Sequence, residues 1–218
     1  MKKLILAAIL ILAPSALLAA EGRGDRPHWS VELKAGAFFP DATEWSRFYG
    51  SSVMGEYGAA VSYKPHRLID LGIEASYARA KGKGQQSQGT AGEVTFEQVP
   101  LNLFVLARAV FDENQWLVPY AGGGYTRMFY RAKVEDQGKT EGSVNGYHAR
   151  AGVQLLLDRL EPDTAQNLYL DFGMHHTYFF LEGKYTRAEV DTVASGTIAS
   201  VSENLGGLSF LGGFLFEF

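Results

Sequence analysis

Residues 205–218 read LGGLSFLGGFLFEF, a stretch in which an aromatic or aliphatic side chain occupies nearly every second position. One alternating set is apolar and is broken only at Gly212; its members are Leu208, Phe210, Phe214, Phe216 and Phe218. The other set mixes small, apolar and acidic side chains; it comprises Ser209, Leu211, Gly213, Leu215 and Glu217. Successive side chains of a β-strand point to opposite faces. The pattern therefore predicts a strand with one face in lipid and the other in a narrow, partly polar interior.

A final strand that ends in Phe resembles that of the bacterial outer-membrane β-barrel proteins, in which this strand is the signal that the insertion machinery reads. The resemblance implies that Phe214, Phe216 and Phe218 serve as an assembly signal. It also implies two kinds of partner during biogenesis, the barrel-assembly machinery and periplasmic chaperones.

The first twenty residues have the pattern of a cleaved export signal. Lys2 and Lys3 form a positive n-region, residues 4–12 are apolar, and a Pro and small residues follow up to Ala20. The uncharged run from residue 4 to residue 20 contains a Pro and is marginal against the ~20 residues of a membrane-spanning helix. We therefore predict a signal peptide at residues 1–20 and one mature domain at residues 21–218.

Composition excludes several classes of protein. The chain has no Cys, which rules out a disulfide scaffold and lipid attachment through a cysteine. The formal charge is −4, or −6 without Lys2 and Lys3, which argues against nucleic acid as a partner. No apolar run after residue 20 approaches the ~18 residues that indicate a transmembrane helix.

The rest of the chain divides into alternating segments separated by polar, Gly-rich stretches, which is typical of strands. The eight predicted strands are Trp29–Phe39, Val53–Tyr63, Ile69–Tyr77, Glu93–Val110, Leu117–Ala132, Tyr147–Leu157, Leu168–Phe180 and Leu205–Phe218. Alternation in the fourth is out of phase upstream of Gln98, which predicts a bulge near Gln98 or Pro100. The predicted fold is all-β, an eight-stranded antiparallel up-and-down transmembrane barrel. A soluble sandwich is the alternative.

The run PYAGGGY at residues 119–125 supports the barrel. It resembles a recurrent stretch in the small outer-membrane barrel families related to OmpA, OmpX and OmpW. The resemblance implies eight strands and a location in the outer membrane of a Gram-negative cell.

Connection lengths predict the orientation of such a barrel, because periplasmic turns are short and outer loops are long. Short connections are expected at Lys64–Arg67, Asp112–Trp116 and Arg159–Asn167, and long ones at Pro40–Ser52, Lys81–Gly92, Val134–Ser143 and Glu182–Asn204. Both termini are then periplasmic. Aromatic belts are expected at both membrane interfaces. The periplasmic belt is Trp29, Tyr63, Trp116, Tyr120, Phe216 and Phe218, and the outer belt is Phe39, Tyr77, Tyr130, Tyr178 and Phe180.

An eight-stranded barrel encloses little space, so charges that face inward must pair. The predicted lumen charges are Glu32, Lys34, Glu56, Asp70 and Glu74 on strands one to three, and Arg108, Arg127, Arg131, His148 and Arg150 on strands four to six. We interpret them as a salt-bridge plug that stabilises the barrel. A conduction or gating role for the same residues is the alternative.

Some eight-stranded outer-membrane barrels modify lipid A with a His, a Ser and an acid. The weak catalytic candidates here are His175 and Thr177, which share a face in an extended strand. Thr177 stands where the deacylase relatives carry Ser, and Thr is a rarer nucleophile. We therefore expect a non-enzymatic protein, with a lipid A deacylase or acyltransferase as the alternative.

No metal or cofactor is expected. His175 and His176 are adjacent, so in a strand they point to opposite faces and do not share an ion. The expected function is a structural role in envelope integrity or the binding of an unidentified ligand by the outer loops, with passage of a small solute as a more specific version. Membrane lipid and lipopolysaccharide are the expected surroundings.

Overall fold

The computed structural model describes residues 26–42, 45–83, 85–86, 89–90, 93–112, 115–134, 138–193 and 200–218. The predicted signal peptide at residues 1–20 lies outside these residues.

Eight strands form one closed antiparallel barrel, which confirms the predicted fold class. They are β1 (Trp29–Pro40), β2 (Met54–His66), β3 (Ile69–Gly82), β6 (Val94–Arg108), β7 (Leu117–Val134), β8 (Gly138–Leu156), β9 (His176–Arg187) and β12 (Gly207–Glu217). Each strand pairs with its neighbour along the chain, and β12 closes the ring against β1. Two short strand pairs extend the connections, β4 (Gln85–Gln86) with β5 (Gly89–Thr90) and β10 (Glu189–Val193) with β11 (Ser200–Asn204). Among the described residues there are two helices, α1 (Trp45–Tyr49) and α2 (Pro162–Phe172). Within the described part of the chain, neither is long and apolar enough to cross a membrane.

Strand pairing shows that the barrel is tilted and narrow. A path that starts at Pro40 in β1 and steps from each residue to its partner on the next strand returns to β1 at Ser30, ten residues away. A displacement of this kind forces the strands of a barrel to tilt, typically by about 35–45° from the axis.

Alternation along the strands separates an apolar outer wall from a packed interior. In β6, Leu103 is 56% exposed whereas the next inward residue, Phe104, is 3% exposed. Large apolar side chains are usually buried in soluble proteins, but Leu33, Ile73 and Phe210 are also largely exposed. An apolar outward face is what lipid requires and what a soluble sandwich avoids.

The start of β1 and the last residue, Phe218, meet at one end of the barrel. The Phe218 N–H donates to the Trp29 carbonyl at 2.8 Å, and the Trp29 N–H donates to the Phe218 carbonyl at 3.0 Å. We call this the terminal end and the opposite end, where β1 ends and α1 lies, the loop end.

The predicted seventh strand, Leu168–Phe180, is wrong in its first half. Residues 162–172 form α2, which begins with Pro162 and ends at Gly173, whose φ of 66° suits the left-handed helix cap. The spacing of Leu168 and Phe172 fits a helix as well as a strand, which explains the error. The strand itself, β9, runs on to Arg187, so Glu182 belongs to the barrel wall and not to a loop.

The predicted bulge at Gln98 or Pro100 is also wrong. Pairing of β6 with β3 keeps one register on both sides of Pro100, and the irregularity in β2 and β3 lies instead at Tyr63 and His66. The polarity reverses upstream of Gln98 because this part of β6 packs Phe96 inward against an apolar cluster and turns Glu97 outward.

The hairpin of β7 and β8 is longer than predicted, since its pairing extends to Val134 and Gly138. Four aromatic residues that we assigned to the belts lie inside instead. Tyr120, Tyr178 and Phe180 are buried in the lumen, and Tyr130 packs against the apolar cluster near the loop end.

Candidate functional site

The centre of the lumen holds a network of buried charges. Its acids are Glu32, Glu56, Glu74 and Glu182, and its bases are Lys34, Arg150 and Lys184. Their side chains are at most 4% exposed. We call these seven residues the central network.

Glu74 is the hub of the central network. One carboxylate oxygen accepts from Lys34 Nζ at 2.5 Å and from an Arg150 guanidinium nitrogen at 2.8 Å. The other accepts from Lys184 Nζ at 2.8 Å and from the Asn102 amide at 2.9 Å. One carboxylate therefore meets all three cations, which come from β1, β8 and β9.

Arg150 spans the lumen and contacts two further acids of the network, Glu32 and Glu182. Its guanidinium lies 3.1 Å from Glu32 and 2.9 Å from Glu182, and it covers the Phe104 ring at 4.3 Å from the ring centre. A planar guanidinium pairs with several carboxylates and stacks on an aromatic ring at the same time. This side chain thus joins carboxylates of β1, β3 and β9 inside the lumen.

Polar neighbours complete the central network. Lys184 donates to Glu56 at 2.8 Å, and Ser76 and Ser209 donate to the same carboxylate at 2.9 and 2.5 Å. Thr126 joins His148 to Asn102. Such contacts satisfy the remaining lone pairs, which a buried ionic cluster needs for stability.

A second group of charges lies at the terminal end. Glu217 pairs with Lys64, and Arg108 lies 2.8 Å from Glu217 and 3.9 Å from Asp70. Arg108 also donates twice to Gln154. An apolar layer of Val118, Leu156, Tyr178, Phe180 and Leu215 adjoins both groups, since Lys34 lies over the Phe180 ring and Arg108 over the Tyr178 ring.

An apolar cluster fills the loop end. Its buried members are Phe38, Trp45, Met54, Ala78 and Phe96. Helix α1 covers the cluster, because Trp45 packs edge-on against Phe96 with ring centres 5.0 Å apart and stacks on Tyr49 at 4.1 Å. Burial and the nearby Glu203 carboxylate raise the pKa of Tyr49 to about 12. The lumen is thus filled at the loop end, the centre and the terminal end.

The structure places eight of the ten predicted lumen charges inside the barrel; they are Glu32, Lys34, Glu56, Asp70, Glu74, Arg108, His148 and Arg150. Arg127 and Arg131 were assigned to the wrong face. Both point outward, Arg127 toward Asn145 and Arg131 toward Glu141, because the inward positions of β7 are the even-numbered ones such as Thr126 and Met128.

Four buried charges are absent from the predicted set of lumen charges, namely Lys64, Glu182, Lys184 and Glu217, although the sequence pattern already placed Glu217 on the inward face of the last strand. The sequence also contained a signal for Glu182 and Lys184. Alternation from Tyr178 and Phe180 continues through Glu182, Lys184 and Thr186, all of them buried, and only the early end of the predicted strand concealed it.

The catalytic candidates His175 and Thr177 lie at the terminal end and contact different partners. The Thr177 hydroxyl donates to the Met174 sulfur at 3.3 Å, while the His175 ring lies edge-on to Tyr169. The neighbouring His176 has its Nδ1 2.9 Å from a carboxylate oxygen of Asp158. Among the described residues, no group of three or more His, Asp or Glu side chains is arranged to hold a metal ion.

Comparison with known proteins agrees with this architecture. The family model for the outer membrane protein beta-barrel domain matches residues 4–202. The solved structure of OprG from Pseudomonas aeruginosa is similar over 88% of this chain and 96% of its own, with 14% identity and a TM-score of 0.56. Neisserial surface protein A is similar over 87% of this chain and 97% of its own, with 14% identity and a TM-score of 0.53. No curated protein matches the sequence. At this identity the structures share the fold alone, but the family model covers most of the chain, which therefore belongs to the outer membrane protein β-barrel domain family.

Proposed function

We propose that the protein is a non-enzymatic outer-membrane barrel with a sealed lumen, which contributes to the integrity of the envelope and presents its loop end to ligands. The observation that carries this proposal is the contact of Glu74 with Lys34, Arg150 and Lys184 across the centre of the lumen. The terminal end faces the periplasm in this proposal, because three of the four connections at the loop end are long, whereas at the terminal end only the β8–β9 connection, which contains α2, is long.

The energetics of the central network favour a seal over a gate. Separating a buried ion pair without replacing either partner costs about 3–5 kcal/mol. Opening a path past Arg150 would break its contacts with Glu32, Glu74 and Glu182 together. An apolar layer adjoins the network on the terminal side and an apolar cluster lies at the loop end, so an ion would have to pass both as well as the network.

The wild-type protein is therefore expected to give no ion current above the detergent blank in planar lipid bilayers at neutral pH. A large porin added to the same bilayer serves as the control for incorporation. Steady single-channel currents from the wild-type protein would contradict the sealed lumen and favour passage of a small solute.

The alternative is a lipid A hydrolase or acyltransferase, and the contact of His176 with Asp158 is the observation that favours it. However, Asp158 also accepts the Thr177 backbone N–H at 3.0 Å, so the contact ties the start of β9 to the preceding connection. We assign it this structural role.

Replacing His175 and His176 with Ala is expected to leave lipid A unchanged, as judged by mass spectrometry of lipid A from cells that express each form. Cells without the protein provide the baseline. A lipid A species that needs the wild-type protein and disappears with His176→Ala would establish the enzyme.

The exposed aromatic residues of the closing strand bear on how the barrel is assembled and on what surrounds it. Phe214 is 47% exposed, and Phe216 and Phe218 lie on the same outward side of the closing strand. We propose that these residues are read by the barrel-assembly machinery, after delivery by periplasmic chaperones, and then face lipid. Lipopolysaccharide is the expected lipid around the loop end.

A further inference from the structure

One cation stands out on the lipid-facing wall. Arg127 lies on the outward face of β7 between Tyr125 and Phe129, both of which are exposed. An outward arginine strongly destabilises a barrel at the centre of the bilayer and has little effect near the bilayer surface. Its level in the membrane therefore decides what it does.

Strand geometry places Arg127 at the surface of the bilayer on the loop side. It lies ten residues along β7 from Leu117 at the terminal end. With a rise of about 3.3 Å per residue and a tilt of about 40°, this separation corresponds to roughly 25 Å along the axis, the height of the apolar band. Exposed tyrosines lie beside Arg127. Tyr125 is two residues away on the same face of β7, and Tyr147 pairs with Tyr125 on the neighbouring strand β8. Aromatic residues mark this interface, where lipid phosphates lie.

The guanidinium of Arg127 is held in position. One terminal nitrogen donates to Asn145 Oδ1 at 2.5 Å and the other to Ser143 Oγ at 2.7 Å. Tyr125 donates to the same Asn145 oxygen at 2.7 Å. These contacts fix the side chain against β8, and they use only two of the five N–H donors of a guanidinium.

No carboxylate in the described part of the chain neutralises the charge of Arg127. Within the described ranges its polar contacts are the neutral Asn145 and Ser143, and no ion pair involves it. Outward cations nearby differ in this respect, because Arg79, Arg131 and Arg187 lie against Glu97, Glu141 and Glu189, respectively.

We propose that Arg127 binds the phosphate of a lipid headgroup in the leaflet at the loop end, with the Ser143 hydroxyl and the Asn145 amide as neighbouring donors. A fixed arginine with unused donors suits a phosphate, since charge-assisted hydrogen bonds to phosphate are strong and often bidentate. The inference rests on the proposed placement in the outer membrane. It concerns the outer wall, so the bilayer current measurement, which reports on the lumen, fails or succeeds independently of it.

The test compares Arg127→Gln with Arg79→Gln, a matched outward arginine that faces a carboxylate. The purified full barrel in detergent micelles is titrated with lipid A and with lipid A from which the phosphates have been removed, and bound lipid is counted by native mass spectrometry. We expect the wild type to prefer the phosphorylated lipid. Arg127→Gln should lose about tenfold or more in affinity for that lipid, since a hydrogen bond to a charged group is lost, and Arg79→Gln should retain it.

Three results would overturn the proposal. They are a wild type without preference for the phosphorylated lipid, an Arg127→Gln protein that keeps the preference, and an equal loss in Arg79→Gln. A further arm adds millimolar inorganic phosphate. Lipid that stays bound supports a lipid headgroup as the ligand. Release of the lipid by inorganic phosphate would overturn the proposal and show that Arg127 is a site for free anions. Because Arg127 is exposed, folding of each variant is checked by its shift in gel mobility on heating.

Discussion

Glu74→Gln is expected to lower the free energy of unfolding by about 3–5 kcal/mol, because it leaves Lys34, Arg150 and Lys184 with one carboxylate fewer in a buried site. Glutamine keeps the shape of the side chain, so the loss reports on charge and not on a cavity. Urea titration of the folded barrel in lipid vesicles, followed by tryptophan fluorescence, measures the effect.

Glu141→Gln is the control, since Glu141 pairs with Arg131 and Lys139 on the exposed surface. Its loss is expected to stay within about 1 kcal/mol, the usual range for exposed ion pairs. Adding Lys184→Met to Glu74→Gln should lower the stability further, because Glu56 would then lose the cation that pairs with it. If Glu74→Gln is as stable as Glu141→Gln, water screens the lumen and the central network does not seal it.

Gly124→Ala is expected to destabilise the barrel by about 3 kcal/mol, at the upper end of the usual cost of overpacking. A methyl group at this position would overlap the Leu103 carbonyl oxygen of the neighbouring strand, and a backbone atom inside a sheet does not move aside. Glycine is needed here because β6 and β7 approach closely where Gly124 lies opposite Phe104.

Gly183→Ala is the matched control for this prediction. The nearest atom to a methyl group at Gly183 is Phe210 Cε1 at 4.0 Å, so the substitution is expected to be nearly neutral. Both variants are compared by the folded fraction on unheated gels and by urea titration. Equal stability of the two variants would show that the strands separate easily at Gly124.

Alternation predicted the barrel because lipid imposes one rule on every strand. An outward residue such as Leu33 or Leu103 is apolar whatever its neighbours are, so each strand can be predicted from its own sequence. The rule stops where the strand leaves the hydrocarbon. Beyond that level Phe96 turns inward and Glu97 outward, and the apparent break was interpreted as a bulge.

The lumen was harder to predict because a charged residue in a strand can face either the lumen or the outside of the barrel. Arg127 and Arg150 both occur within alternating strand segments of the sequence. Arg127 nevertheless lies on the outer wall, whereas Arg150 crosses the lumen. The choice of partners depends on the register of several strands. Glu74 meets Arg150 because β3, β6, β7 and β8 pair as they do, and no single segment contains that information.

Aromatic residues raised the same difficulty. Tyr120 was expected in a belt, but its hydroxyl donates to Glu182 inside the barrel at 2.9 Å. A tyrosine has an apolar body and a polar tip, so it suits both a membrane interface and a partly polar interior.

The central network also bears on how the chain selects its final pairing during assembly. Its contacts join residues far apart in sequence, such as Glu32 with Arg150, 118 residues away, and Lys34 with Glu182, 148 residues away. A slip of one residue in any strand would turn its charges into hydrocarbon, and a slip of two would keep them inside but separate them from their partners. Hence the charges stabilise only the finished ring, in which all eight strands are present and aligned. A ring that closes with a misaligned strand lacks this stabilisation, so the charges select the correct register.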